Sequence, residues 1–146
     1  MKQGKPKPYM IGAIRAQLWY PNTGRFSKNI LGDKNFYLWN TIIGEGSAEE
    51  PSLHTLVTVE IIGRPGEDST ERQVEVVCEL VKGTRSRSRV LVKRVESPQN
   101  MGKTGRWLIP VWIIDHPNSP VKVTATLKGQ GAPMKKTAMI NYNGGE

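Results

Sequence analysis

Between Gln73 and Leu80 the side chains alternate: Val74, Val76, Cys78 and Leu80 share one parity, while Gln73, Glu75 and Glu79 share the other. In an extended chain successive side chains point to opposite faces, so this period of two predicts a strand with one face in a core and the other in water. A polar break containing GTRSRS separates it from RVLVKRV, and the two runs read as a β-hairpin spanning Gln73 to Val95. No helical pattern intervenes between the alternating runs, which favours an antiparallel sandwich over a βαβ arrangement, with a small barrel as the runner-up. Turn signals recur at intervals of roughly 8 to 12 residues, as in antiparallel sandwiches. The 15 glycines and 10 prolines supply those turns.

The expected fold class is therefore all-β, an antiparallel two-sheet sandwich of about eight or nine strands, immunoglobulin-like only in the broad sense. The Cys, Trp, Cys spacing of true immunoglobulin domains is missing, because the chain has a single cysteine. At 146 residues the chain has the size of one domain with one core. Residues 1–8 carry Lys2, Lys5 and Lys7 among Pro6, Pro8 and Gly4, and are expected to form a flexible basic arm ahead of a single domain over 9–146.

Along the chain, residues 9–20 read as a first strand with Met10, Ile14, Ala16, Leu18 and Tyr20 inward and Trp19 on the more polar face. A turn at 21–24 leads to a short irregular strand over 26–31, and 36–43 reads as a strand apolar on both faces. Residues 53–62 place Leu53, Val57, Val59 and Ile61 inward, with His54, Thr58 and Glu60 outward. In the most apolar run, 106–114, Trp107, Ile109, Val111 and Ile113 form one face and Leu108, Pro110, Trp112 and Ile114 the other. Pro110 has no N–H to give to a ladder, so this strand belongs at a sheet edge or a bulge. Runs at 121–128 and 134–142 complete the set, the last with Met134, Ala138, Ile140 and Tyr142 on one parity.

Candidates for chemistry are sparse. Cys78 lies on the apolar parity of its strand and reads as a small buried hydrophobe. His54 and His116 have no cysteine cluster or carboxylates at ligand spacing, so no metal or other cofactor is expected. Asp115, His116 and Ser119 share one proline-rich turn without a nucleophile elbow, and the loop 44–52 lacks the helix N-terminus that a phosphate loop needs. The sequence is expected to be non-catalytic. Without a signal-peptide core or an apolar stretch long enough to span a bilayer, it is also expected to be cytoplasmic.

Charge and apolar surface carry the functional expectation. Residues 44–79 hold nine acids against Arg64 and Arg72, whereas residues 82–106 hold eight bases against Glu96. Arg85, Arg87, Arg89, Lys93, Arg94 and Lys103 are the candidate contacts for an anionic partner. Strands apolar on both parities need cover beyond one core, which marks Trp39, Leu108, Trp112 and Ile114 as a candidate apolar interface. The expectation is a protein-interaction or assembly module within a larger complex, its partner another protein or a second copy of itself. Nucleic-acid binding through the basic hairpin turn and the lysine arm is the alternative. An anionic-membrane or carbohydrate-binding sandwich is the third.

Overall fold

The computed structural model describes residues 9–31, 38, 41–66, 71–81, 89–115, 117 and 119–142. The basic arm over 1–8, the turn holding Arg85 and Arg87, Trp39 and His116 lie outside the described residues. Eight strands occur among those described: β1 (Met10–Tyr20), β2 (Arg25–Phe26), β3 (Thr55–Ile62), β4 (Gln73–Leu80), β5 (Arg89–Glu96), β6 (Arg106–Ile113), β7 (Val121–Lys128) and β8 (Met134–Ile140). They form two antiparallel four-stranded sheets, ordered β2-β1-β3-β6 and β5-β4-β7-β8, packed face to face. The chain changes sheet between β3 and β4, between β5 and β6, and between β6 and β7. The molecule is an all-β sandwich.

The alternating side chains meet between the sheets. Ile14, Ala16, Leu18 and Tyr20 of β1, Val57, Val59 and Ile61 of β3, and Ile109, Val111 and Ile113 of β6 face Val74, Val76, Cys78 and Leu80 of β4 and Val121, Val123, Ala125 and Leu127 of β7, all buried. Each large aliphatic side chain removed from water here contributes about 1.5–3 kcal/mol. The predicted hairpin is present: β4 and β5 pair from Val74↔Glu96 to Leu80↔Arg89, with a register shift between Cys78 and Glu79.

Five expectations need correction. Met10 is half exposed rather than inward, because a register shift between Ile11 and Ile14 inserts a bulge residue, so Tyr9 takes the buried parity at the strand's start. Thr41–Ile43 is a 3₁₀ turn rather than strand, and Ile42 and Ile43 are exposed. The edge of β1 that such a strand would need is already occupied: Ser27 and Ile30 donate backbone N–H groups to the carbonyls of Leu18 and Ala16, at 2.9 and 2.8 Å. Leu53 precedes β3 and lies exposed instead of inward. Met134 opens the edge strand β8 and is likewise exposed. The strand expected over 26–31 is confined to Arg25–Phe26, and residues 27–31 follow β1 without strand structure.

Sheet edges are managed by charge and proline. β6 is an edge strand, as Pro110 requires, and Pro110 stands opposite Thr58 in register. The Pro110 carbonyl accepts from Arg94 Nη1 at 2.7 Å, which ties β5 of one sheet to β6 of the other. On the opposite side Lys136 Nζ donates to the carbonyl of Gly12 in the β1 bulge at 2.6 Å. Each cation satisfies a carbonyl left outside the ladders and blunts an edge that could template pairing with another chain.

Candidate functional site

The outer face of the first sheet carries apolar side chains that the sandwich core does not use. The turn at 21–24 brings β2 back along β1 so that Trp19 stands opposite Phe26, with ring centroids 4.8 Å apart and planes inclined by 57°. Trp112 follows on the other side of Phe26 at 6.0 Å and 29°. β3 holds the floor in register, since Trp19 N donates to the His54 carbonyl at 3.0 Å and Leu56 stands opposite Trp112. Trp19, Phe26, His54, Trp112 and Ile114 line an open groove of about 430 Å³. Ile114 is 61% exposed, Trp112 40% and Phe26 36%, so the groove is open to a partner.

His54 closes one end. Its Nδ1 accepts from the backbone N–H of Asp115 at 3.1 Å, so the neutral ring carries its proton on Nε2. Asp115 adopts φ +58°, a left-handed conformation that short polar residues tolerate, and its side chain is exposed beyond Ile114. On the β2 side, Arg25 pairs with Glu49 and with Glu50 and lies 5.1 Å from the Tyr20 ring centroid. Among the described residues the groove walls are hydrocarbon and aromatic ring, with one titratable side chain, His54. Such a lining can bury apolar side chains.

Further along the same face Leu108 projects from β6 at 58% exposure. Beside it Glu60 is largely covered. It accepts from the N–H of Ala13 in the β1 bulge at 3.5 Å and pairs with Arg106 at 3.2 Å, which leaves the Arg106 side chain 61% exposed.

Of the apolar candidates, the structure brings Trp112 and Ile114 into one groove and places Leu108 on the same strand face, while Trp39 lies outside the described residues. Trp19, Phe26 and His54 had no assigned role in the sequence. The signal was there: a tryptophan on the outward parity of β1, and an aromatic placed across a four-residue turn from it.

The basic candidates are dispersed. Lys93 pairs with Glu75 at 3.5 Å, and Arg94 pairs with Glu96 at 2.7 Å besides bonding Pro110. Arg89 and Lys103 are exposed on β5 and on the loop before β6. Glu75 also meets Lys128 at 3.7 Å, so the outer face of the second sheet is a mixed-charge, solvated surface.

Cys78 is fully buried, and burial pushes its thiol from 9.0 up to about 12. Burial likewise pushes Tyr142 upward, against a 2.6 Å hydrogen bond to Thr55 Oγ1. Both groups are favoured neutral in the fold, so their contribution is complete below pH 9 and is lost as pH rises from about 9 towards 12. Urea midpoints are expected to be flat from pH 7 to 9 and to fall above that. Iodoacetamide at pH 8 should label Cys78 only as fast as the protein unfolds; labelling at the rate of an exposed thiol would contradict this burial.

Among the described residues no three His, Cys, Asp or Glu side chains cluster to hold a metal ion, and no helix is long and apolar enough to cross a membrane. Neither a protein-family model nor a curated protein matches the chain.

Proposed function

We propose that this protein is a protein-interaction or assembly module, a subunit whose contact surface is the outer face of its first sheet. The observation that carries this reading is the open groove between Trp19, Phe26, Trp112 and Ile114, where large apolar side chains stay in water while the core is complete without them. Aromatic anchors in a groove, with charged residues at the rim, are how interfaces concentrate binding energy. A cytoplasmic setting fits, since one buried thiol provides no disulfide framework for oxidising surroundings.

Nucleic-acid binding has less support, because Lys93 and Arg94 are already engaged by Glu75, Glu96 and the Pro110 carbonyl. The test is Trp112→Lys, a change at an exposed position expected to leave thermal unfolding within a few degrees of the wild type. Association, whether with itself or with proteins captured from the native lysate, should be lost in the variant. A wild-type protein that is strictly monomeric and captures nothing overturns the proposal.

A further inference from the structure

Building on the interaction reading above, we infer that the partner of this face is a second copy of the same chain, packed face to face with β6 antiparallel across a two-fold axis. One face of one strand carries both halves of the contact. Leu108, 58% exposed, stands as a knob at the start of β6, and the groove lined by Trp112 and Ile114 lies at its end. Along an extended strand the step from residue 108 to residue 114 is about 20 Å. A two-fold axis at Val111 therefore sets each Leu108 against the other copy's Ile114, and each Pro110 against the other copy's Trp112. Both knobs then enter both grooves in a single isologous arrangement.

Charge follows the same symmetry. Arg106, with its partner Glu60 largely covered beneath it, marks the knob end, and the exposed Asp115 marks the groove end. An antiparallel arrangement brings the guanidinium of each copy beside the carboxylate of the other, whereas a parallel one would oppose like charges. Arg15, exposed on β1 of the same face, comes towards its own symmetry mate, so the contact includes one like-charge approach that opposes it. Joining the two copies edge to edge through β6 is disfavoured by Pro110, which has no N–H and whose carbonyl is taken by Arg94. The face, not the edge, is what a second copy can use.

Sedimentation equilibrium and paired cysteine variants test this. The wild type should show a monomer–dimer equilibrium, and Leu108→Lys should weaken it at least tenfold while leaving the fold intact. Asp115→Asn, which tolerates the same backbone conformation, should weaken it a few-fold and flatten its salt dependence. A thiol-specific bismaleimide with a reach of about 10 Å, the spacing of stacked sheets, should cross-link unlike chains in a mixture of Leu108→Cys and Ile114→Cys, whereas each variant alone should not cross-link, and buried Cys78 should stay silent. Cross-linking of Leu108→Cys with itself overturns the antiparallel register. A wild type that stays monomeric overturns the second copy as partner, and the interaction reading then survives only if lysate capture still depends on Trp112. A dimer indifferent to both Leu108→Lys and Trp112→Lys overturns this face as the interface altogether.

Discussion

Tyr9→Ala is expected to destabilise the fold by about 3 to 5 kcal/mol, the range for removing a fully buried aromatic side chain. Tyr9 is completely buried although it lies just ahead of β1, and three neighbours hold it there. Its ring sits against Gly63, where an added Cβ would come within 2.6 Å of ring carbons, so only a glycine lets the aromatic approach this closely. Arg72 covers the ring at 4.0 Å from its centroid, a cation–π contact. Gln130 grips the backbone at both ends of the residue: Tyr9 N donates to Gln130 Oε1 at 2.9 Å, and Gln130 Nε2 donates to the Tyr9 carbonyl at 2.6 Å. Arg72 Nε also donates to Gln130 Oε1 at 2.9 Å, which joins ring cover and backbone grip in one unit. Urea unfolding at pH 7 measures the effect as a fall in midpoint with an unchanged slope. Gln130→Ala removes the grip but leaves the ring, so a loss of about 1 to 2 kcal/mol is expected there. A loss from Tyr9→Ala no larger than that from Gln130→Ala would show that burial of the ring contributes no more than the backbone grip.

This latch also shows what was legible in the sequence. The strand interiors announced themselves: in β3 and β4 the buried and outward residues alternate without interruption, and in β7 only buried Thr126 breaks the alternation, so periodicity alone located the core residues of Val57 to Ile61, Val74 to Leu80 and Val121 to Leu127. Pro110 announced an edge for β6, because a missing donor has the same consequence wherever the strand pairs. Met10 was misplaced because one extra residue at the β1 bulge inverts parity, and the bulge depends on partners distant in sequence, Glu60 and Lys136. Thr41–Ile43 looks like strand in composition, yet a strand needs a free edge, and the segment after β2 had taken the one beside β1. The groove was half legible. Trp112 and Ile114 stood out as the second apolar face of β6, while Trp19, Phe26 and His54 join them only through the pairing of β1 with β2 and β3. Pairing between strands is tertiary information that local pattern does not carry.

The same physics fixes the expected outcome at the turn between β7 and β8. Gly129→Ala should destabilise by about 2 to 5 kcal/mol, from two separable causes. Gly129 has φ +99°, where a side chain of L configuration is strained by about 1 to 2 kcal/mol. In addition its Cβ would lie 2.2 Å from the Glu71 carbonyl oxygen and 3.0 Å from Arg72 Cα, both backbone atoms that no rotamer change can move aside. Overpacking of that kind costs about 1 to 3 kcal/mol more. Relief requires the turn to move away from the chain entering β4, which pulls Gln130 and Arg72, the residues that hold Tyr9, out of alignment. Gly131 isolates the first cause, since it has φ +93° but nothing within 4 Å of its added Cβ. Gly131→Ala should therefore cost only the backbone strain. Urea midpoints for the two variants should differ by the steric contribution, with Gly129→Ala clearly the lower. Equal midpoints would show that the turn does not press against Glu71 and that the Tyr9 latch is assembled without it.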